Sequence, residues 1–196
     1  MYMPPHFAET DPAVLRTLIR AHPLGTWVVP VDGTLVVNHI PFLMREDGVL
    51  VGHVARANDV WKRLGAESVV VFQGPEAYIT PSWYASKREH GKVVPTWNYA
   101  VVHAHGTPRA IEDRDWLYAL VTALTDSQES RRAEPWKVTD APEEYVRAAL
   151  GAIVGIEIPI SRLVGKWKAS QNRSEADRAG VTAGLDDPTD LVRPPG

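Results

Sequence analysis

The chain has 196 residues, 44% of them hydrophobic and 23% charged, with a formal net charge of -3 and no cysteine. That composition suits one ordinary globular domain with a sizeable core. It excludes disulfides, thiolate metal sites and cysteine nucleophiles, offers no global basic field for nucleic acid, and contains no apolar run near the roughly 20 residues of a membrane span.

The first residues, MYMPPHFAETDP, lack the basic and apolar regions of a signal peptide, so the expected location is cytoplasmic. Asp11-Pro12 then opens a helix, as N-cap followed by proline in the first turn. Val14, Leu15, Leu18 and Ile19 form its apolar stripe, and His22-Pro23 ends it. From Gly25 the texture is β: GTWVVPV, TLVVNHIPFLM and GVLVGHVA, separated by the hairpin signals Asp32-Gly33 and Asp47-Gly48. A short helix is predicted from about Asp59 to Leu64, stopping at Gly65. ESVVVFQG and EAYITP read as two strands split by a Gly74-Pro75 turn, and residues 82–95 as a long polar loop.

WNYAVVHAHG resumes the strand pattern, with RAI close behind. A helix is predicted from near Asp113, with Trp116, Leu117, Leu120, Val121 and Leu124 on one side. A second is predicted with Asp140 as N-cap and acids in its first turn. A last strand, about Ala152 to Leu163, leads into the acid-free stretch GKWKASQNR, residues 165–173. The pattern is mainly β with peripheral helices, an antiparallel barrel. The expected organisation is one domain over residues 1–185, with 186–196 a disordered tail.

Motifs for ordinary catalysis are missing. There is no G-x-S-x-G around Ser82 or Ser86, no G-x-G-x-x-G and no Walker sequence, and the acids sit in helices and turns. His103 and His105 share one face of a strand, but no acid or third histidine stands at matching spacing, so no metal site is assigned. His39 and His53 each interrupt an apolar strand, which leaves two readings: a pair facing each other across a ladder, or two half-buried, hydrogen-bonded histidines. Two stretches offer anion-binding donors. In ARAND, residues 55–59, Arg56, the Asn58 side chain and the N–H groups of a helix start can converge on a phosphate. GKWKASQNR adds cationic and amide donors. Trp83, Tyr84, Trp97 and Tyr99 cluster around the long loop, where large rings suit a flat ligand or a partner subunit.

The blocks MYMPPHFAETD, NHIPF, GHVARAN, FQGPEAYITPSWYASK, GKVVPTWNYAVVHAHG and GKWKASQNR together resemble the PaiB-type FMN-binding proteins, which are described as negative transcriptional regulators. The resemblance runs from residue 1 to about 185. It implies an FMN-binding split β-barrel and a homodimer with FMN at the subunit interface. On that resemblance, the strand turning into a short helix, with His53, Val54, Ala55, Arg56 and Asn58, grips the FMN phosphate. Asn38, His39 and Ile40 lie along the isoalloxazine ring, and the partner subunit completes the site with Trp83, Trp97, Asn98, Lys168, Gln171 and Asn172. DNA enters as a partner on the family description alone. The alternative is a flavin-dependent oxidoreductase in which His39 or His53 acts as proton donor near the ring. A haem-binding barrel using the same histidines is a third reading.

Overall fold

The computed structural model describes residues 1–185, so the expected disordered tail, 186–196, lies outside the described residues. Nine strands form an antiparallel sheet: β1 (Ala8–Glu9), β2 (Leu24–Val31), β3 (Thr34–Pro41), β4 (Leu43–Met44), β5 (Val49–Ala55), β6 (Ser68–Ile79), β7 (Thr96–Gly106), β8 (Arg109–Ile111) and β9 (Ile153–Lys168). The strand order is β3-β2-β6-β7-β9-β5-β4, with β1 and β8 also paired to β9. Among the described residues, five α-helices accompany them: α1 (Pro12–Ala21), α2 (Ser86–Glu89), α3 (Arg114–Glu129), α4 (Glu143–Gly151) and α5 (Glu175–Gly184). None is long and apolar enough to cross a membrane.

By internal contacts the chain forms two compact units. The larger comprises Pro23–Val71 and Ala104–Arg162. Its first hairpin, β2–β3, turns at Asp32-Gly33, where φ is 49° and 78°. Both residues therefore take the left-handed region that a two-residue primed turn demands. Strict alternation along β2 buries Trp27, Val29 and Val31. The Trp27 indole donates to Ser68 Oγ at 3.0 Å, and that hydroxyl donates to Gly106 O at 3.1 Å, so the one polar atom of the ring stays satisfied in the core. On β9, Gly155 carries no side chain because the Trp116 ring of α3 occupies that place; a Cβ there would stand 2.2 Å from it.

The second unit comprises Met1–His22, Phe72–His103 and the chain from Leu163. Asp11 caps α1, accepting from Ala13 N at 2.8 Å. Leu15 packs where a Cβ on Gly165 of β9 would stand 2.1 Å from its Cδ2. Ile79, Tyr84 and Val181 make a small core between the end of β6 and α5. Asp177, buried in the first turn of α5, accepts from Ser86 N at 3.0 Å and Ser86 Oγ at 2.8 Å.

Several sequence expectations are corrected. Gly74-Pro75 does not split two strands, since β6 continues through it. The buried positions shift phase there, from Phe72 to Ile79, which fits the rule that proline inside a strand sits at a bulge or edge. Gly74 is needed for packing, because a Cβ would meet Leu18 at 2.8 Å. Residues 82–95 are not simply a polar loop: they include the end of a 3-10 turn, α2, and the buried Tyr84. Asp140 does not cap α4; its carboxylate accepts from Lys137 N, and Pro142 holds the N-cap position. The last strand runs on to Lys168, so GKWK is strand rather than the segment after it. Finally, His39 and His53 do not face each other across a ladder. His39 stands opposite Thr26 on β2, and His53 opposite Gly155 on β9, because β3 and β5 do not pair with each other in the sheet.

Candidate functional site

In the larger unit, two predicted segments come together. β5 ends at Ala55, and the chain bends into a 3-10 turn, Asp59–Arg63, whose N-cap is Asn58. Asn58 Oδ1 accepts from Val60 N at 3.2 Å, while its Nδ2 donates to Asn38 Oδ1 on β3 at 2.7 Å. One short amide thus satisfies the turn and ties it to β3. Asn38 Nδ2 is buried and has no hydrogen-bond partner among the described residues, an uncommon state for an amide donor. Beside it on β3, His39 is exposed and Ile40 is buried.

Arg56 is more committed than its sequence context implies. Its Nε donates to Gly151 O at 2.9 Å, Nη2 to Ile153 O at 3.2 Å, and Nη1 pairs with Glu112 at 2.6 Å. One N–H remains on each terminal nitrogen. Arg56 therefore anchors the end of β5 to the start of β9, whatever else it binds. Val54 packs into the core and Ala55 is exposed. His53 lies half-buried on β5, and burial lowers its pKa from the ordinary value, which keeps the imidazole neutral near pH 7. Its Nδ1 is shielded from solvent and has no partner among the described residues.

The second unit gathers the cations. Lys166 and Lys168 alternate with Trp167 along β9, so both ammonium groups lie on one face, at 5.3 and 6.0 Å from the Tyr99 ring centroid. Lys166 Nζ donates to Tyr2 O at 3.3 Å. Lys168 Nζ donates to Thr96 Oγ1 and to Trp97 O. Neither lysine has a carboxylate within ion-pair distance among the described residues, although Lys166 is buried and Lys168 is partly covered. Burial lowers the pKa of Lys168; Tyr99 opposes the shift, and the charges of Lys166 and Arg173 add to it. An anion beside these groups is favoured by ordinary electrostatics.

The remaining predicted residues of this unit have internal duties. Asn98 is buried and exchanges hydrogen bonds with Ser170 at 3.1 and 3.2 Å, holding a turn in which Ser170 has φ 61°. Gln171 bridges Ala169 N and Trp167 O. Asn172 is exposed. Trp83 is packed against α5 through Gly180 and Gly184, where a Cβ on Gly184 would stand 2.3 Å from the indole. Trp97 is exposed and lies edge-on to Tyr78 at 5.8 Å. Sequence reasoning missed Glu112, Ser170 and Thr96, because each reaches its partner from a distant part of the chain and no local spacing signals it.

The fold defines a class. The structure is similar to the FAD and haem binding protein of Mycobacterium smegmatis, with a TM-score of 0.65 and 20% identity, covering 91% of this chain and 80% of that one. It is also similar to the flavocytochrome Anf3 of Azotobacter vinelandii, with a TM-score of 0.62 and 15% identity over 88% of this chain and 75% of that one. The fold is the split β-barrel of flavin-binding proteins. Within that class, residues 1–162 match the model of the family described as "Putative FMN-binding domain"; the chain belongs to this family, and its cofactor is FMN. Among individual relatives, Protease synthase and sporulation protein PAI 2 of Bacillus subtilis is 33% identical, over 92% of this chain and 87% of that one. Uncharacterized protein AN0679 of Emericella nidulans is 34% identical, over 95% and 90%.

The donor set fits FMN. A phosphate dianion needs cations and N–H donors, and Lys166 and Lys168 are lysines lacking an acidic partner among the described residues. The buried Asn38 Nδ2 offers an unused donor beside an apolar strand, the kind of group that a flavin carbonyl satisfies.

Proposed function

We propose that the protein works as a homodimeric, FMN-binding negative regulator of transcription in the cytoplasm, with FMN held between two copies of a single domain spanning residues 1–185. In this reading Asn38, His39 and Ile40 lie along the isoalloxazine ring. The segment His53, Val54, Ala55, Arg56 and Asn58 holds the phosphate end, through its backbone and the donors that remain on Arg56. The second copy contributes Lys168, Gln171 and Asn172 as polar groups and Trp83, Trp97 and Asn98 as the wall. The observation that carries the reading is the pair of lysines on one face of β9, one buried and one partly covered, without a carboxylate partner among the described residues. The regulatory role is supported by the likeness to the Bacillus subtilis protein, whose name ties it to protease synthesis and sporulation.

Bound FMN supplies one- and two-electron redox chemistry. This chain's residues bind and orient it: lysines neutralise the phosphate, Asn38 Nδ2 fixes the ring by one hydrogen bond, and Ile40 and Val54 keep the adjoining core dry. DNA is the partner to test, because it rests on the family description alone and a net charge of -3 supplies no global field to attract it. The deciding experiment titrates the FMN-loaded protein with promoter DNA at several salt concentrations, alongside an NAD(P)H oxidation assay. Direct regulation at DNA requires binding whose log affinity falls linearly with log salt. Turnover of NAD(P)H without DNA binding would replace the regulator with the flavin-dependent oxidoreductase.

A further inference from the structure

Arg173 ends the acid-free stretch GKWKASQNR, in the second unit. Its backbone is fixed: Arg173 N donates to Ser170 O at 3.0 Å, in the turn where Ser170 has φ 61° and exchanges hydrogen bonds with Asn98. Its guanidinium carbon lies over the Tyr84 ring, 4.7 Å from the centroid. That ring is a firm platform, since Tyr84 is buried in the small core with Ile79 and Val181. The half-buried Arg173 side chain donates no hydrogen bond and has no carboxylate within ion-pair distance among the described residues. Asp177 feels its charge, but the Asp177 oxygens accept from Ser86 N and Oγ, and those bonds do most to hold that carboxyl below the usual range.

We propose that Arg173 is the residue by which this protein distinguishes FMN from riboflavin, through a bidentate charge-assisted hydrogen bond from its guanidinium to the phosphate monoester. The assignment deepens the FMN-binding reading above and rests on it. Charge is the first support. Burial lowers the Lys168 pKa, and Lys166 and Arg173 lower it further against the opposing effect of Tyr99, so the three cations act on one another. A dianion relieves that repulsion, and a neutral ring or ribityl chain does not. Availability is the second. Lys166 Nζ already donates to Tyr2 O, and Lys168 Nζ to Thr96 Oγ1 and Trp97 O, whereas the five N–H groups of the Arg173 guanidinium have no acceptor among the described residues. Geometry is the third. A planar guanidinium presents paired N–H groups that match two phosphate oxygens, which an ammonium cannot do. The Tyr84 ring and the Ser170 turn hold it before the ligand arrives, which lowers the cost of ordering it on binding. Riboflavin shares the ring and ribityl chain of FMN but has no phosphate, so nothing in it engages Arg173.

The test titrates the full-length protein with FMN and, separately, with riboflavin, read by flavin fluorescence, and records the phosphorus chemical shift of bound FMN. It is repeated with Arg173→Met, which keeps an apolar stem over Tyr84 and removes the charge, and with Arg173→Lys, which keeps the charge and removes the fork. The unsubstituted protein is expected to favour FMN. Arg173→Met is expected to weaken FMN binding about 10- to 100-fold while riboflavin affinity stays unchanged, with a shift of the phosphorus signal. Arg173→Lys is expected to fall between the two. An FMN-to-riboflavin ratio that Arg173→Met leaves unchanged would overturn the proposal, as would an equal loss for both flavins, which would confine Arg173 to supporting Tyr84. If the unsubstituted protein retains neither flavin, the FMN reading itself fails and the proposal with it. The phosphorus shift in Arg173→Lys decides the matter if Arg173→Met does not fold: a signal identical to that of the unsubstituted protein overturns the proposal.

Discussion

Lys168 and Arg56 both look like anion ligands in the sequence, and the structure separates them. Lys168 donates only to a hydroxyl and a carbonyl, among cations that push its pKa in the direction burial does. Arg56 already holds two carbonyls and Glu112. Lys168→Ala is therefore expected to weaken FMN binding by about 1.5–3 kcal/mol, the scale of a hydrogen bond to a charged group, in a flavin fluorescence titration. Unchanged affinity would remove Lys168 from the site. Arg56→Ala is expected to lower stability more than affinity, because it releases the junction of β5 and β9. His53 adds a pH dependence. Burial lowers its folded-state pKa below the ordinary 6.5, so the unfolded chain binds the extra proton first as pH falls. Its contribution to stability is complete above about pH 6.5 and is lost as pH drops below that value. The midpoint of urea unfolding should decline between pH 7 and 5, with a shallower decline in His53→Phe.

At the level of elements, close approaches explain glycines that look like punctuation in the sequence. Gly155 lets the Trp116 ring of α3 come into close contact with β9. Gly155→Ala is expected to destabilise the fold by about 1–3 kcal/mol through overpacking, measured by urea unfolding. A buried carboxylate ties the α5 helix to α2. Asp177 accepts from both the backbone and hydroxyl of Ser86, and those bonds hold its pKa below the usual carboxylate range. Asp177→Ala should cost about 1–3 kcal/mol by leaving Ser86 N–H and Oγ without their acceptor. Protease cleavage near residues 82–95 should quicken at the same time. Retained resistance to proteolysis would show that the aromatic packing of Trp83 on α5 suffices alone.

For the whole molecule, the main prediction is assembly. Leu35, Val37 and His39 alternate along β3 on an exposed face, and Trp97 and Tyr78 are exposed together on the other unit. Exposed apolar groups at this density suit an interface between copies. Sedimentation of the FMN-loaded protein should give twice the chain mass of 21.7 kDa. A monomer that retains FMN would place the whole cofactor site within one chain and discard the share assigned to a second copy.

Local physics made much of this protein legible in advance. Asp32-Gly33 announces its hairpin because few other pairs tolerate two left-handed residues, and Asp11-Pro12 announces α1 because both act within one turn. Long ordered blocks such as GHVARAN and FQGPEAYITPSWYASK sufficed for the family and, through it, for FMN. Tertiary structure alone decided which groups are available to a ligand. Arg56 and Asn98 look equally suited to binding along the chain, but their partners, Glu112 and Ser170, lie 56 and 72 residues away. Gly74-Pro75 reads as a turn, yet the packing of Leu18 against it overrides that local signal. Hairpins and caps act over a few residues and are written there, whereas the occupancy of a donor depends on whatever folding brings beside it.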